Sequence, residues 1–249
     1  MPALKAAREK ATIQTEKTNL DLILFDAYAT LERWPEALAT MAEVLRDYPD
    51  SATAFAGYAL ASITLKSWDA LENAARERLE RNPDDEQVVM MRAVAASSRG
   101  DFAKSLELLR TRISNPKASM GLLNNYAWDG LFASPAPADM IEIGQRAARL
   151  SDNKDFSILH TLAAVYAEIG RPAEARKLIL EAMDQLGLDE PNESAWYVFG
   201  RIAEQYGQTD AAVSAYKRTK QKEPGGVFDS NSTWALAERR AKVMGTSIE

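Results

Sequence analysis

Among side chains that activate nucleophiles or bind soft metals, the 249 residues offer one histidine, His160, and no cysteine. A Ser-His-Asp arrangement would have to recruit that imidazole, yet no Gly-x-Ser-x-Gly elbow accompanies it. Zinc sites draw on cysteine and clustered histidine, and neither is on offer. A carboxylate-only metal site would need convergent acids. The runs Asp84-Asp85-Glu86 and Asp189-Glu190 instead fall where helices begin, and there acids favour the helix dipole as solvated charge. Gly225-Gly226 is not followed by Gly-Lys-Thr or Gly-Lys-Ser, so no phosphate-cradling loop is written here. The expectation is a chain that is not an enzyme, with no catalytic residues, no metal and no cofactor, whose work is binding.

Charge narrows the ligand. A net charge of −6 and a pI near 5.1 oppose a nucleic-acid groove, which needs a basic surface to release counterions from phosphate. With 46% hydrophobic and 27% charged residues the chain can bury a continuous core and keep a wet surface. No apolar run approaches the roughly 18 residues of a membrane helix, so membrane insertion is not expected. The opening Met1-Pro2-Ala3-Leu4-Lys5 has no apolar stretch of the signal-peptide kind. A cytoplasmic or a periplasmic location fits equally well.

The elements that must position any site are amphipathic helix pairs, clearest between Phe156 and Pro224. There a helix from Phe156 ends at Gly170 and a second begins at Arg171-Pro172; a helix holding Trp196, Phe199 and Gly200 ends at Gly207, followed by Ala212, Tyr216 and Pro224. Upstream, Pro49 and Pro83 lie 34 residues apart, and Trp34, Trp68 and Phe102 recur at the same step at the start of each second helix. Residues Leu122-Leu123-Asn124-Asn125-Tyr126-Ala127-Trp128 open another pair, closed by Met140 to Leu150 after the loop Ser134-Pro135-Ala136-Pro137.

This layout resembles the tetratricopeptide repeat family, whose period is about 34 residues, and the fourth pair resembles a bacterial variant of it. The resemblance implies an all-α, right-handed helical solenoid of about six repeats, since no pair can bury its apolar face alone. The expected repeats are residues 18–51, 52–85, 86–119, 120–155, 156–192 and 193–226. Residues 1–17 form a partly helical or disordered lead-in, and residues 229–249 carry a capping helix and tail in which Trp234, Ala237 and Ala241 cover the end of the stack while Glu238, Arg239 and Lys242 face water. Arg78 and Arg112 stand where the family places alanine, so either they snorkel outward along their stems or the register slips there. The closing region also resembles, weakly, the C-terminal repeats of bacterial multidomain proteins with a transglutaminase-like domain. That implies an alternative: the repeat region of a larger enzyme-containing protein.

In the family the first helix of each repeat lines the concave face. The resemblance therefore implies a peptide-binding groove formed by Asn124, Asn125, Trp128, His160, Thr161, Tyr197, Arg201 and Glu204, docking an extended or helical protein segment. An exposed, contiguous stripe is expected, with His160 as a pH handle that tightens binding of a carboxylate-bearing ligand as pH falls. Clamping of a C-terminal carboxylate is disfavoured, because only Asn124, Asn125 and Arg201 could serve. The matching positions in the first three repeats, Leu22, Asp26, Ala56, Leu60, Met90 and Val94, are mostly apolar. They suit packing against a neighbouring part, a hydrophobic ligand, or self-association.

Overall fold

The computed structural model of the protein describes residues 2–221 and 226–248. Pro224 and Gly225, expected to close the last repeat, lie outside the described residues. Among the described residues the regular elements are 14 α-helices and one 3-10 turn, with no strand. The chain forms two compact units, Met1–Ala95 and Ala96–Glu249. Each is built of successive packed helices.

The first unit holds α1 (Pro2–Lys10), α2 (Gln14–Thr30), α3 (Trp34–Asp47), α4 (Ala52–Thr64), α5 (Trp68–Arg81) and most of α6 (Glu86–Ser98). Trp34 and Trp68 start the second helix of their pairs, and Pro35 fits the first turn of α3, where a missing N–H costs nothing. Two apolar clusters hold the pairs together. Leu24, Tyr28, Ala37 and Ala61 form one; Met41, Val44 and Ala54 form the other. The lead-in is tied down as helix α1: Leu4 packs on the first cluster, and Arg8 Nε donates to the buried carboxylate of Asp21 at 2.9 Å.

Arg78 does not snorkel. It is 7% exposed, its Nε donates to Asp85 Oδ2 at 2.6 Å, and a second nitrogen reaches the carbonyl of Ser51 at 3.0 Å. Asp85 is likewise buried rather than solvated, and its other oxygen accepts from the Val88 amide at the start of α6. One carboxylate thus neutralises a buried guanidinium and caps a helix.

The second unit continues with α7 (Phe102–Ile113), α8 (Met120–Gly130), α9 (Met140–Leu150), α10 (Phe156–Glu168), α11 (Pro172–Gln185), α12 (Glu193–Gln205), α13 (Thr209–Tyr216) and α14 (Thr233–Val243), with a 3-10 turn at Asp229–Asn231 before the last. Five of these eight helices start on side-chain caps: Asp101, Ser119, Asp155, Asn192 and Ser232 each accept from the amide three residues on. First helices α8, α10 and α12 touch one another in order, and α8, α10 and α12 each pack on their partner, α9, α11 and α13. That stacking buries ten consecutive residues of α10, Ile158 to Ala167, because its neighbours cover every face.

Candidate functional site, the inner helices of the second unit

The expected groove residues do share neighbouring helices, but most are not exposed. Tyr197 is fully buried, Thr161, Arg201 and His160 are 3%, 4% and 6% exposed, and only Asn124, Asn125, Trp128 and Glu204 are half-buried. The expectation of an open stripe is corrected for those four. The physical reason is that a first helix in mid-stack is flanked on both sides, so positions read as outward are taken up by side-chain packing between repeats.

Tyr197 and Arg201 anchor a buried charge network. The Tyr197 hydroxyl donates to Glu168, and its ring stacks on Tyr216 with centroids 6.2 Å apart. Arg201 Nε lies 3.1 Å from Glu168 Oε1 and another of its nitrogens 2.9 Å from Glu204 Oε2. The Tyr216 hydroxyl donates to Glu204 Oε2 at 2.8 Å. Burial opposes the charge on Arg201, but Glu168 and Glu204 more than offset it, so its pKa is raised. Burial likewise pushes Glu204 up, and hydrogen bonds from Arg240 and Tyr216 together with nearby Arg201 bring it below the usual range. Truncating Arg201 would leave two carboxylates without their buried counter-ion, a fold defect before it is a binding defect.

His160 is a packing residue too. Its ring lies 5.7 Å from that of Trp128 and stacks on Phe156 at 5.8 Å. Nε2 stands 3.0 Å from the Ser194 carbonyl, which can only accept, so Nε2 carries the proton. Burial lowers its pKa, partly opposed by that bond. The expectation of an exposed pH handle is therefore corrected: the ring is buried, and burial favours its neutral form.

The remaining pair, Trp128 and Glu204, hold a piece of polypeptide, and it is the chain's own. Trp128 Nε1 donates to the carbonyl of Asn231 at 3.0 Å, and Arg240 donates to Glu204. Between these points Arg239 donates to the carbonyl of Leu131 at 2.7 Å, just past the end of α8. Further along, Ser230 Oγ lies 3.0 Å from the carbonyls of both Ser97 and Ser98 at the end of α6. Arg239 is thus not a purely solvent-facing residue. The segment thus brings hydroxyl and guanidinium donors to backbone carbonyls at the ends of two helices. One turn before Trp128, Asn124 Oδ1 is enclosed and accepts no hydrogen bond. The segment's role has no sequence signal, because its partners are backbone carbonyls and any residue supplies one.

A buried carboxyl, also without a sequence signal, lies beside this clamp. Asp129 is 4% exposed and accepts from Ser105, itself fully buried. Burial pushes its pKa up to about 7, with the Ser105 bond acting the other way.

In the first unit the corresponding positions look different. Leu60 is 37% exposed, Asp26 is exposed, and Leu22, Ala56, Met90 and Val94 are half-buried. Apart from Asp26 the stripe is apolar.

Stacked antiparallel helix pairs, with the first helices facing one polypeptide segment, define a helical-repeat protein. Residues 24–70 match the tetratricopeptide repeat family. Solved structures agree in fold. A tetratricopeptide repeat protein from Parabacteroides merdae is 16% identical, covers 95% of this chain and 90% of its own, and superposes with a TM-score of 0.60. PilW, described as a type IV pilus biogenesis factor, is 15% identical with coverages of 86% and 96% and a TM-score of 0.62. The Cut9–Hcn1 hetero-tetramer of APC/C contributes a chain 10% identical, covering 98% of this one and 47% of its own, at 0.59. At such identities the likeness is one of fold. Comparison with curated proteins finds no match. The likeness of the closing region to proteins with a transglutaminase-like domain is not carried by these matches. Among the described residues no helix is long and apolar enough to cross a membrane, and no group of three or more His, Cys, Asp or Glu side chains is placed to hold a metal ion.

Proposed function

We propose that the protein is a non-catalytic interaction scaffold that docks protein segments on the first helices of its repeats. The observation that carries this reading is the seating of a polypeptide segment on α8 and α12 through Trp128, Leu131 and Glu204. It indicates what kind of object such a surface accepts: a turn followed by a helix, held by side chains and helix-end carbonyls, as in helix-in-groove recognition. The match to the tetratricopeptide family supports it, as does the likeness to a chain found in the Cut9–Hcn1 assembly. With the second unit's face held by the chain's own segment, the surface open to a partner without displacement is the mostly apolar one of the first unit, which includes Leu60. Self-association through the same stripe is the competing use of it.

The test is capture from cell extract followed by titration of the recovered partner with purified protein. Leu60→Asp is expected to weaken that partner at least tenfold with circular dichroism and a cooperative melt retained, since Leu60 is 37% exposed. A partner that ignores Leu60→Asp would move the surface elsewhere. Recovery of no partner, with light scattering showing a dimer that dissociates in Leu60→Asp, would replace the scaffold by self-association.

A further inference from the structure

We infer that the face under the C-terminal segment is itself a docking site for a partner segment of the same chemistry, and that residues 226–243 occupy it in cis as a displaceable stand-in. The inference rests on the scaffold reading above and names one site and its ligand class. That class is a short turn bearing hydroxyl and amide side chains, then a helix with an arginine about two turns in.

The fit of the segment carries the argument. Its hold before α14 is polar and marginal: none of the residues from Gly226 to Ala235 is fully buried, and Phe228 is 41% exposed. Between this stretch and the start of α12 lies an open cavity of about 410 Å³, lined by Glu193, Ser194, Lys220, Phe228 and Asn231 among others. Only Leu236, Ala237 and Ala241 of α14 are buried.

The receptor side, by contrast, is pre-set. Trp128 is fixed by Phe132 and His160, with centroids 5.6 and 5.7 Å away. Glu204 is aimed by Arg201 and Tyr216, neither of which belongs to the segment. Asn124 Oδ1 is an enclosed acceptor that the segment leaves unused. A rigid aromatic donor, an oriented carboxylate and two helix ends form a surface organised before anything binds, which is what lowers the cost of docking. Tethering gives the cis segment a high effective concentration. A partner making the same bonds, and in addition filling the cavity, displaces it.

The test uses the full chain and a fluorescein-labelled synthetic peptide of residues 226–246, read by anisotropy. Wild type should bind the peptide weakly, because its face is occupied. Ser230→Ala/Arg240→Ala weakens the cis segment from its own side and should bind at least tenfold more tightly; adding Trp128→Phe, which keeps the ring and removes the donor to Asn231, should abolish most of that gain. If the double variant does not melt cooperatively, Ser230→Ala alone is used, with a gain of about threefold expected. An opened variant that binds no better than wild type overturns the proposal, as does equal binding of a scrambled peptide or indifference to Trp128→Phe. A concentration-dependent dimer of the wild-type chain, exchanging this segment, would assign the face to a second copy and overturn it as well. Failure here leaves the scaffold reading standing, because that depends on Leu60 and a captured partner.

Discussion

The two units solve the same packing problem with different residues, and the difference tracks what lies on their first helices. In the first unit, Arg78 and Asp85 form a compact buried pair, and the first helices carry a mostly apolar, partly exposed stripe. In the second, Arg201 bridges Glu168 and Glu204, and the outer edge of the network, Glu204, faces an arginine from the chain's own C-terminal segment. A buried ion pair is weak evidence for stability, because desolvation consumes most of the Coulomb gain. Its use here is positional. The second unit uses polar groups to orient an acceptor for a polypeptide; along its first helices the first unit presents mostly hydrocarbon, with Asp26 the exception.

The sharpest break in this comparison comes at the helix crossings. A Cβ placed on Gly200 would stand 2.4 Å from Tyr216 Cε1, on a ring that is fully buried and hydrogen-bonded to Glu204. At Gly57 in the first unit the same atom meets Met41 Cγ and Sδ at 3.0 Å, on a side chain with rotatable bonds. Gly200→Leu is therefore expected to cost about 3 kcal/mol by overpacking, and Gly200→Ala to cost more than Gly57→Ala. Urea unfolding measures both. Equal costs for the two alanine variants would mean that the Tyr216 ring moves as freely as a methionine.

A second prediction sets two buried titratable groups of the second unit against each other by pH. Asp129 has its folded pKa raised from 3.8 to about 7. In the range between, the unfolded chain ionises it while the native state holds it protonated. Its contribution is thus fully present below about pH 4 and is lost as pH rises through 7. His160 runs the opposite way: its folded pKa is lowered from 6.5, so its contribution is present above that value and lost as pH falls. Asp129→Asn keeps an acceptor for Ser105 and removes the charge. It should match wild type near pH 4 and exceed it at pH 8 by about 1 kcal/mol or more, since each tenfold change in proton affinity on folding is worth about 1.36 kcal/mol. An unchanged pH profile in melting experiments would show that Asp129 is hydrated and ionised in the native state.

How much of this is legible in the sequence follows from what each feature depends on. Helix starts at Trp34, Trp68 and Phe102, and the pairing of α10 with α11, follow from period and turn chemistry, which are local. The residues of the inner stripe are legible too, but not their burial. Exposure of Tyr197 or His160 depends on which neighbours flank α10 and α12, information spread over residues up to 34 positions away, such as the Ser194 carbonyl on His160. The seat of Ser230 on Ser97 and Ser98 spans more than 130 positions and uses carbonyls that no residue type marks. Arg78 misleads for a simpler reason: a lone arginine on a buried face looks like a snorkelling one until Asp85, in the next turn, is seen to fold back onto it.

The smallest effect concerns the turns between the two helices of a pair, where the units differ again. In the first unit the left-handed position is filled by Glu32 and Lys66, both at φ 55°. In the second it falls to Gly100, Gly170 and Gly207, at φ 76°, 78° and 72°. The bends are alike, so the side chain, not the path, is what changes. A residue with a Cβ in this region carries a strain of about 1 kcal/mol or more, and glycine removes it but adds about 0.4–1 kcal/mol of unfolded-state entropy. Glu32→Gly and Lys66→Gly should therefore shift stability by only a few tenths of a kcal/mol. Gly207→Ala, where an added Cβ meets no atom within 4 Å, runs the same balance backwards without steric interference and should destabilise by only a few tenths of a kcal/mol. If Gly207→Ala is neutral while Lys66→Gly is clearly stabilising, the bends differ after all, and the glycines of the second unit answer to something other than the left-handed backbone.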